Sequence, residues 1–227
     1  MQKIFLLLAI FLAQFVLAQE NQTDAKGRKQ GIWKKYYEED KLRYEGRFSD
    51  DIPVGIFIYY YENGKVMAIN EYRGKTGIAH SKQYDEQNRL MAEGKYVGQQ
   101  RDSIWRIYDE EGTFVAEEAF KIGVKHGAWV TYYADGIVAE RIEYLDGIKH
   151  GLWIQKYPDG KNKTKANFAN GKLEGECTYF DQNGKPIMRG KYQNGLKHGV
   201  WLVYEDGSPT TKEEYKQGNL IKSTELK

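Results

Sequence analysis

From Gly31 onward, apolar and polar positions alternate in short runs, and glycine turns interrupt the alternation at a fixed interval. A run such as Ala128–Trp129–Val130–Thr131–Tyr132–Tyr133 has the two-residue period of a strand. Each first run meets a turn, among them Asn63–Gly64, Glu111–Gly112, Asp135–Gly136, Asp159–Gly160, Asn183–Gly184 and Asp206–Gly207. Asn-Gly and Asp-Gly favour the type I′ hairpin, whose two central residues both need positive φ. A second run closes on an aromatic (Phe48, Tyr72, Tyr96, Phe120, Tyr144, Phe168, Tyr192 or Tyr215), and a second glycine turn follows. No helical period of adequate length appears past the first residues.

The pattern predicts eight units opening at Gly31, Gly55, Gly77, Ser103, Gly127, Gly151, Gly175 and Gly199, spaced by 24, 22, 26, 24, 24, 24 and 24 residues. The third position of each unit is Trp33, Phe57, Ala79, Trp105, Trp129, Trp153, Cys177 or Trp201, so all five tryptophans share one column. A repeat of this period builds an array in which each unit touches mainly its neighbours. The expected fold is all-β. It is an elongated single-sheet solenoid of eight antiparallel hairpins, about 16 strands and roughly 75–80 Å long.

On the closing strands the face of the aromatic carries small residues: Gly46, Asn70, Gly94, Ala166 and Gly190. They are expected to make room for the tryptophan rings. Ile32, Ile56, Ile78, Ile104 and Leu152 fall on the opposite face, which is therefore partly apolar as well.

The N-terminus is a different material. Lys3 precedes an apolar run from Ile4 to Ala13, and Val16–Leu17–Ala18 offers a small-residue cleavage site. This reads as a secretory signal peptide cut between Ala18 and Gln19. The run is shorter than the roughly 20 residues that span a bilayer, so no transmembrane segment is expected in the mature chain. The expected partition is 1–18 signal peptide, 19–30 polar leader, 31–218 repeats and 219–227 polar tail, giving a periplasmic or secreted protein. Cys177 is the single cysteine, so no internal disulfide staples the fold.

Charge and chemistry narrow the function. Lys and Arg number 34 against 32 Asp and Glu, a balance that argues against a nucleic-acid partner. His126, His150 and His198 share one turn position, with Glu174 between them. Equivalent positions lie two strands, roughly 9–10 Å, apart, whereas Zn–N bonds are about 2.0–2.1 Å. The histidines therefore read as a duplicated turn and not as a metal site. No nucleophile elbow, phosphate loop or dinucleotide fingerprint is present. No catalytic residue, metal or cofactor is expected, and the chain does not read as an enzyme. The aromatic residues have binding potential, with Tyr59, Tyr61 and Tyr179 the candidates for exposure.

Gly127-x-Trp129-x-x-Tyr132–Tyr133, then Asp135–Gly136 and a strand closing on Tyr144, resembles the bacterial variant of the MORN repeat. The resemblance covers residues 31–218 and departs at Gly77–Gln100 and at Cys177. It implies stacked hairpins and non-catalytic roles: protein–protein scaffolding, sometimes association with membrane lipid. Many bacterial proteins with this repeat are described as antitoxin components of toxin–antitoxin systems. The resulting expectation is an exported module that binds another protein. The alternative is a glycan or lipid headgroup bound through the aromatic face, as a peripheral envelope association.

Overall fold

The computed structural model describes residues 19–226; the expected signal peptide and Ala18 lie outside them. Nineteen strands follow one another: β1 (Gln22–Thr23), β2 (Lys29–Tyr36), β3 (Leu42–Ser49), β4 (Ile52–Tyr60), β5 (Val66–Tyr72), β6 (Ile78–Tyr84), β7 (Leu90–Val97), β8 (Gln100–Tyr108), β9 (Phe114–Lys121), β10 (Val124–Tyr132), β11 (Val138–Leu145), β12 (Ile148–Lys156), β13 (Asn162–Ala169), β14 (Lys172–Leu173), β15 (Gly175–Phe180), β16 (Pro186–Gln193), β17 (Leu196–Glu205), β18 (Ser208–Lys216) and β19 (Asn219–Glu225). All belong to one sheet. Each strand pairs antiparallel with its neighbour in sequence; β14 and β15 both pair with β13 as two pieces of one strand. β1 pairs with β2 and β19 with β18, so the sheet is open. Among the described residues no helix is long and apolar enough to cross a membrane.

The count exceeds the sixteen expected strands for three reasons. Glu174 divides one strand into β14 and β15, while Gln22–Thr23 and Asn219–Glu225 add a paired strand at each end. The turn at Asp24–Arg28 follows the pattern of the later first turns: Asp24 N–H donates to Arg28 O and Gly27 N–H to Asp24 O, both at 2.9 Å. Strand pairing thus extends beyond residues 31–218 on both sides.

Turn geometry differs from expectation. At Tyr61–Lys65, Gly64 N–H donates to Tyr61 O and Tyr61 N–H to Lys65 O, each at 2.9 Å. Gly64 is left-handed at φ 81° while Asn63 is not. This is a three-residue loop, a type I turn closed by a glycine bulge. The loop holds one residue more than a type I′ hairpin, so the glycine takes the bulge place. Type I′ geometry appears instead at the second turns, as at Asp146–Gly147 (φ 48° and 86°) and Asn194–Gly195 (φ 53° and 84°). Asp206–Gly207, with φ of 50° and 85°, is a first turn that keeps the expected form.

The glycine that opens a unit also has a backbone role. Glu45 pairs with Ile58 and Arg47 with Val54, so β4 carries surplus residues opposite β3, and Gly55 lies among them at φ 68°. Ser103 takes the same conformation at φ 60° in the fourth unit. The third unit lacks this bulge. Asn70 pairs with Ser81 and Tyr72 with Ala79 in unbroken register, and the surplus residues go into the turn between Arg73 and Ile78.

That register corrects the column. Trp33 pairs with Gly46, Cys177 with Gly190, and Ser81 with Gly94. Ser81, not Ala79, therefore holds the third unit's place in the tryptophan column. Gly77 is a turn glycine and not a unit opener, which is why the apparent spacings of 22 and 26 arose. From Trp33 to Trp201 the column recurs every 24 residues without exception.

Packing of large on small holds as expected. Trp105 and Trp201 are fully buried, and Phe57 and Cys177 nearly so. The rings of Phe57, Trp105 and Trp201 lie over Gly46, Gly94 and Gly190, each eleven residues earlier on the preceding strand.

Candidate binding site

Phe57, Trp105 and Trp201 are seated over glycines of the preceding strand, and four of the five tryptophans (Trp33, Trp105, Trp129 and Trp201) carry a cationic lid. Four residues before every tryptophan stands a cation: Lys29, Arg101, Lys125, Lys149 and Lys197. Lys125 Nζ lies 3.8 Å from the Trp129 ring centroid, Arg101 Cζ 4.2 Å from that of Trp105, and Lys197 Nζ 4.5 Å from that of Trp201. Lys149 covers the closing ring Phe168 at 5.2 Å. An ammonium or guanidinium over an indole face is attracted by the ring quadrupole. The indole N–H groups are engaged too: those of Trp105, Trp129 and Trp201 donate to the carbonyls of Lys95, Ala119 and Lys191 at 3.0 Å. Trp33 Nε1–H reaches Gln22 O and Gln30 O, and Trp153 Nε1–H reaches Glu140 Oε1. Phe57, Trp105 and Trp201 are buried, and Trp33 and Trp129 lie under cations, so the column forms no continuous stacking platform.

The three tyrosines expected to be exposed are half-buried. Tyr61 Oη donates to Tyr84 O at 2.8 Å, repeating the bond of Tyr37 to Tyr60 O one unit earlier. Tyr179 and Tyr192 share a hydroxyl–hydroxyl bond of 3.0 Å. Tyr59 is buried enough that its phenol titrates well above the ordinary range.

Two column places lack an aromatic ring, and they differ. Around Cys177 the gap is closed: Leu173 stands where other units have the lid cation, and it packs with Tyr179, Met188, Tyr192, Trp153 and Trp201 around the thiol. Beside Ser81, which is itself fully buried, a cleft remains. The lid place is Gly77, which has no side chain to offer. Eleven residues before Ser81 is Asn70, the floor on which a ring would rest. A cleft of about 530 Å³ opens there, lined by Arg43, Tyr59, Ala68, Asn70, Tyr72, Gln83, Tyr96, Gly98 and Gln99. Among the described residues, Asn70 Oδ1 and Ser81 Oγ are buried side-chain atoms without a hydrogen-bond partner.

The histidine turns gather no ligand set. His126 Nδ1 lies 3.2 Å from Asp146 Oδ1, while His80, His150 and His198 are exposed. Among the described residues no group of three or more His, Cys, Asp or Glu side chains could hold a metal ion.

A second surface lies along the second turns. Ile122, Val124, Leu145 and Ile148 are 44%, 45%, 47% and 52% exposed in adjoining turns. Val124 packs over Gly147 and Ile148 over Gly171, so the strip steps from turn to turn. Ile122 holds φ 46° where the corresponding turns have Asp146, Asn170 and Asn194.

A search of curated proteins returned no match. Among solved structures, a crystal structure of TcdB2-TccC3-TEV is 13% identical, with a TM-score of 0.20, and aligns with 84% of this chain and 12% of that one. A structure of the Photorhabdus luminescens Tc holotoxin pore is 14% identical, with a TM-score of 0.18, over 85% of this chain and 12% of that one. The chain thus spans about an eighth of the length of these proteins. The model of the MORN repeat variant matches residues 29–50, 53–73, 125–146, 149–170 and 173–194, each match beginning at the lid position of its unit. The hairpin units that begin at Lys29, Pro53, Lys125, Lys149 and Leu173 are thus the five that match the MORN repeat variant.

Proposed function

We propose that the protein is a non-catalytic, exported repeat module that holds another protein on the turn edge formed by Ile122, Val124, Leu145 and Ile148. Ile122 is the observation that carries this reading. A β-branched side chain in the left-handed region costs on the order of 1–2 kcal/mol, and its neighbours show that Asp or Asn serves the turn. Ile122 is also exposed, so the strain is not repaid by burial. An apolar strip exposed at such a cost fits an interaction surface. An antitoxin-like role is one form of this reading, in which the partner is a toxin acting in the same compartment.

The test is capture of partners from envelope and secreted fractions by the wild-type chain and by Ile122→Asn/Val124→Ser. A partner retained by the wild type and lost by the double variant supports the turn edge. Equal capture by both sinks it, and no partner for either sinks the module reading. Export is checked by the mature N-terminus, expected at Gln19.

A further inference from the structure

We propose that the cleft over Asn70 binds a single pyranose ring of a saccharide. This site is separate from the turn edge and stands whether or not that edge docks a protein.

The argument begins with what the repeat normally puts here. Every tryptophan of the column brings a ring and is preceded four residues earlier by a cation, while the third unit supplies Ser81 and Gly77 in their stead. The Cys177 gap shows that the fold can close such a hole with apolar side chains, since Leu173 and Tyr179 do so. Around Ser81 the lining is instead aromatic and amide-rich: Tyr59, Tyr72 and Tyr96 with Asn70, Gln83 and Gln99.

A pyranose has apolar C–H faces and a rim of hydroxyls that both donate and accept. Aromatic walls suit the faces, and carboxamides, which offer a donor and an acceptor together, suit the hydroxyls. Asn70 lines the cleft and its Oδ1 is buried and unpaired, an acceptor that a ligand hydroxyl would satisfy; Ser81 Oγ is unpaired too, but it is wholly buried and no part of the lining. Gln83 Nε2 donates to Tyr96 Oη at 3.0 Å, which leaves the tyrosine's own proton free to be donated elsewhere. Arg43 is the one charged side chain in the lining, so the cleft has no field strong enough to demand a phosphate or a polyanion. A volume of about 530 Å³ is in the range of small-molecule sites.

Methyl glycosides of glucose, galactose, mannose and N-acetylglucosamine, titrated into the ¹⁵N-labelled chain, test the proposal through the side-chain amide resonances of Asn70 and Gln83. At least one glycoside is expected to shift these resonances saturably, with a Kd on the order of 1 mM for one ring. Asn70→Ala should weaken that binding about tenfold. Ser81→Trp, which restores the column ring, should abolish it. Gln83→Ala, at the half-buried rim, gives a second reading if either of those variants loses the dispersed spectrum of the folded chain; it too should weaken binding. Three results would overturn the site: no saturable shift with any glycoside, unchanged binding in the folded variants, or tighter binding of N-acetyltryptophanamide at the same resonances. The last would make the cleft a pocket for a protein side chain.

Discussion

Trp105 lies so close on Gly94 that a Cβ at position 94 would sit 2.6 Å from the ring's Cε2. No rotamer of a fully buried indole relieves that overlap without moving a strand. Gly94→Ala should therefore cost about 1–3 kcal/mol through overpacking. Trp105→Ala should cost more, about 3–5 kcal/mol, because it opens a cavity in a one-layer core. Urea denaturation of both variants checks the order. A neutral Gly94→Ala would mean that the ring does not rest where the structure places it.

Ile122→Asn should stabilise the chain. Asn tolerates the left-handed region and already occupies it at Asn170 and Asn194, with φ of 49° and 53°. The expected gain is about 1 kcal/mol, read as a rise in the thermal midpoint. The same substitution removes an apolar contact from the proposed docking edge, so stability and partner capture should move in opposite directions.

The thiol of Cys177 is nearly inaccessible, and burial pushes its titration upward. A raised pKa leaves less thiolate at neutral pH, and thiolate is the reactive form. Native protein should react with a disulfide reagent only at the rate of unfolding, and denatured protein at once. Fast labelling of the native chain would show that the Leu173–Tyr179 closure opens locally.

Asp24 fastens the first turn. Its carboxylate accepts the backbone N–H of Arg28, pairs with the Arg28 guanidinium and accepts Lys26 N–H, which together hold its pKa at about 2 against an ordinary 3.8. A depressed carboxylate contributes stability that is fully present above the ordinary value and is lost as pH falls toward the folded one. The protection of the Asn21 amide, whose N–H donates to Ile32 O, measured against its intrinsic exchange rate at each pH, should therefore fall between pH 3.8 and pH 2 while the middle of the sheet stays protected.

The repeat, its strands and the large-on-small packing were legible because each rests on residue types recurring at one interval. The turn types were less so: Asn63–Gly64 and Asn194–Gly195 look alike, and only the number of residues between paired strands separates a bulged loop from a two-residue one. Gly77 imitated a unit opener, although Asp85, 24 residues after Tyr61, carried the true register. The histidine of Lys125–His126–Gly127 drew attention that belonged to the lysine. Its position over Trp129 follows from the bulge at Gly127, which no local pattern displays. The open cleft could not be read at all until Ser81 was known to replace a ring.

Because every strand finds its partners in the adjacent hairpin, no segment must wait for a distant one before it can settle. A chain emerging end-first from the ribosome could lay down one hairpin upon the last, each completed by some two dozen further residues. Little apolar surface would be stranded at any moment, since loop closures stay short and local contacts lead. The order of synthesis would then also be the order of assembly, with β19 added to strands already paired.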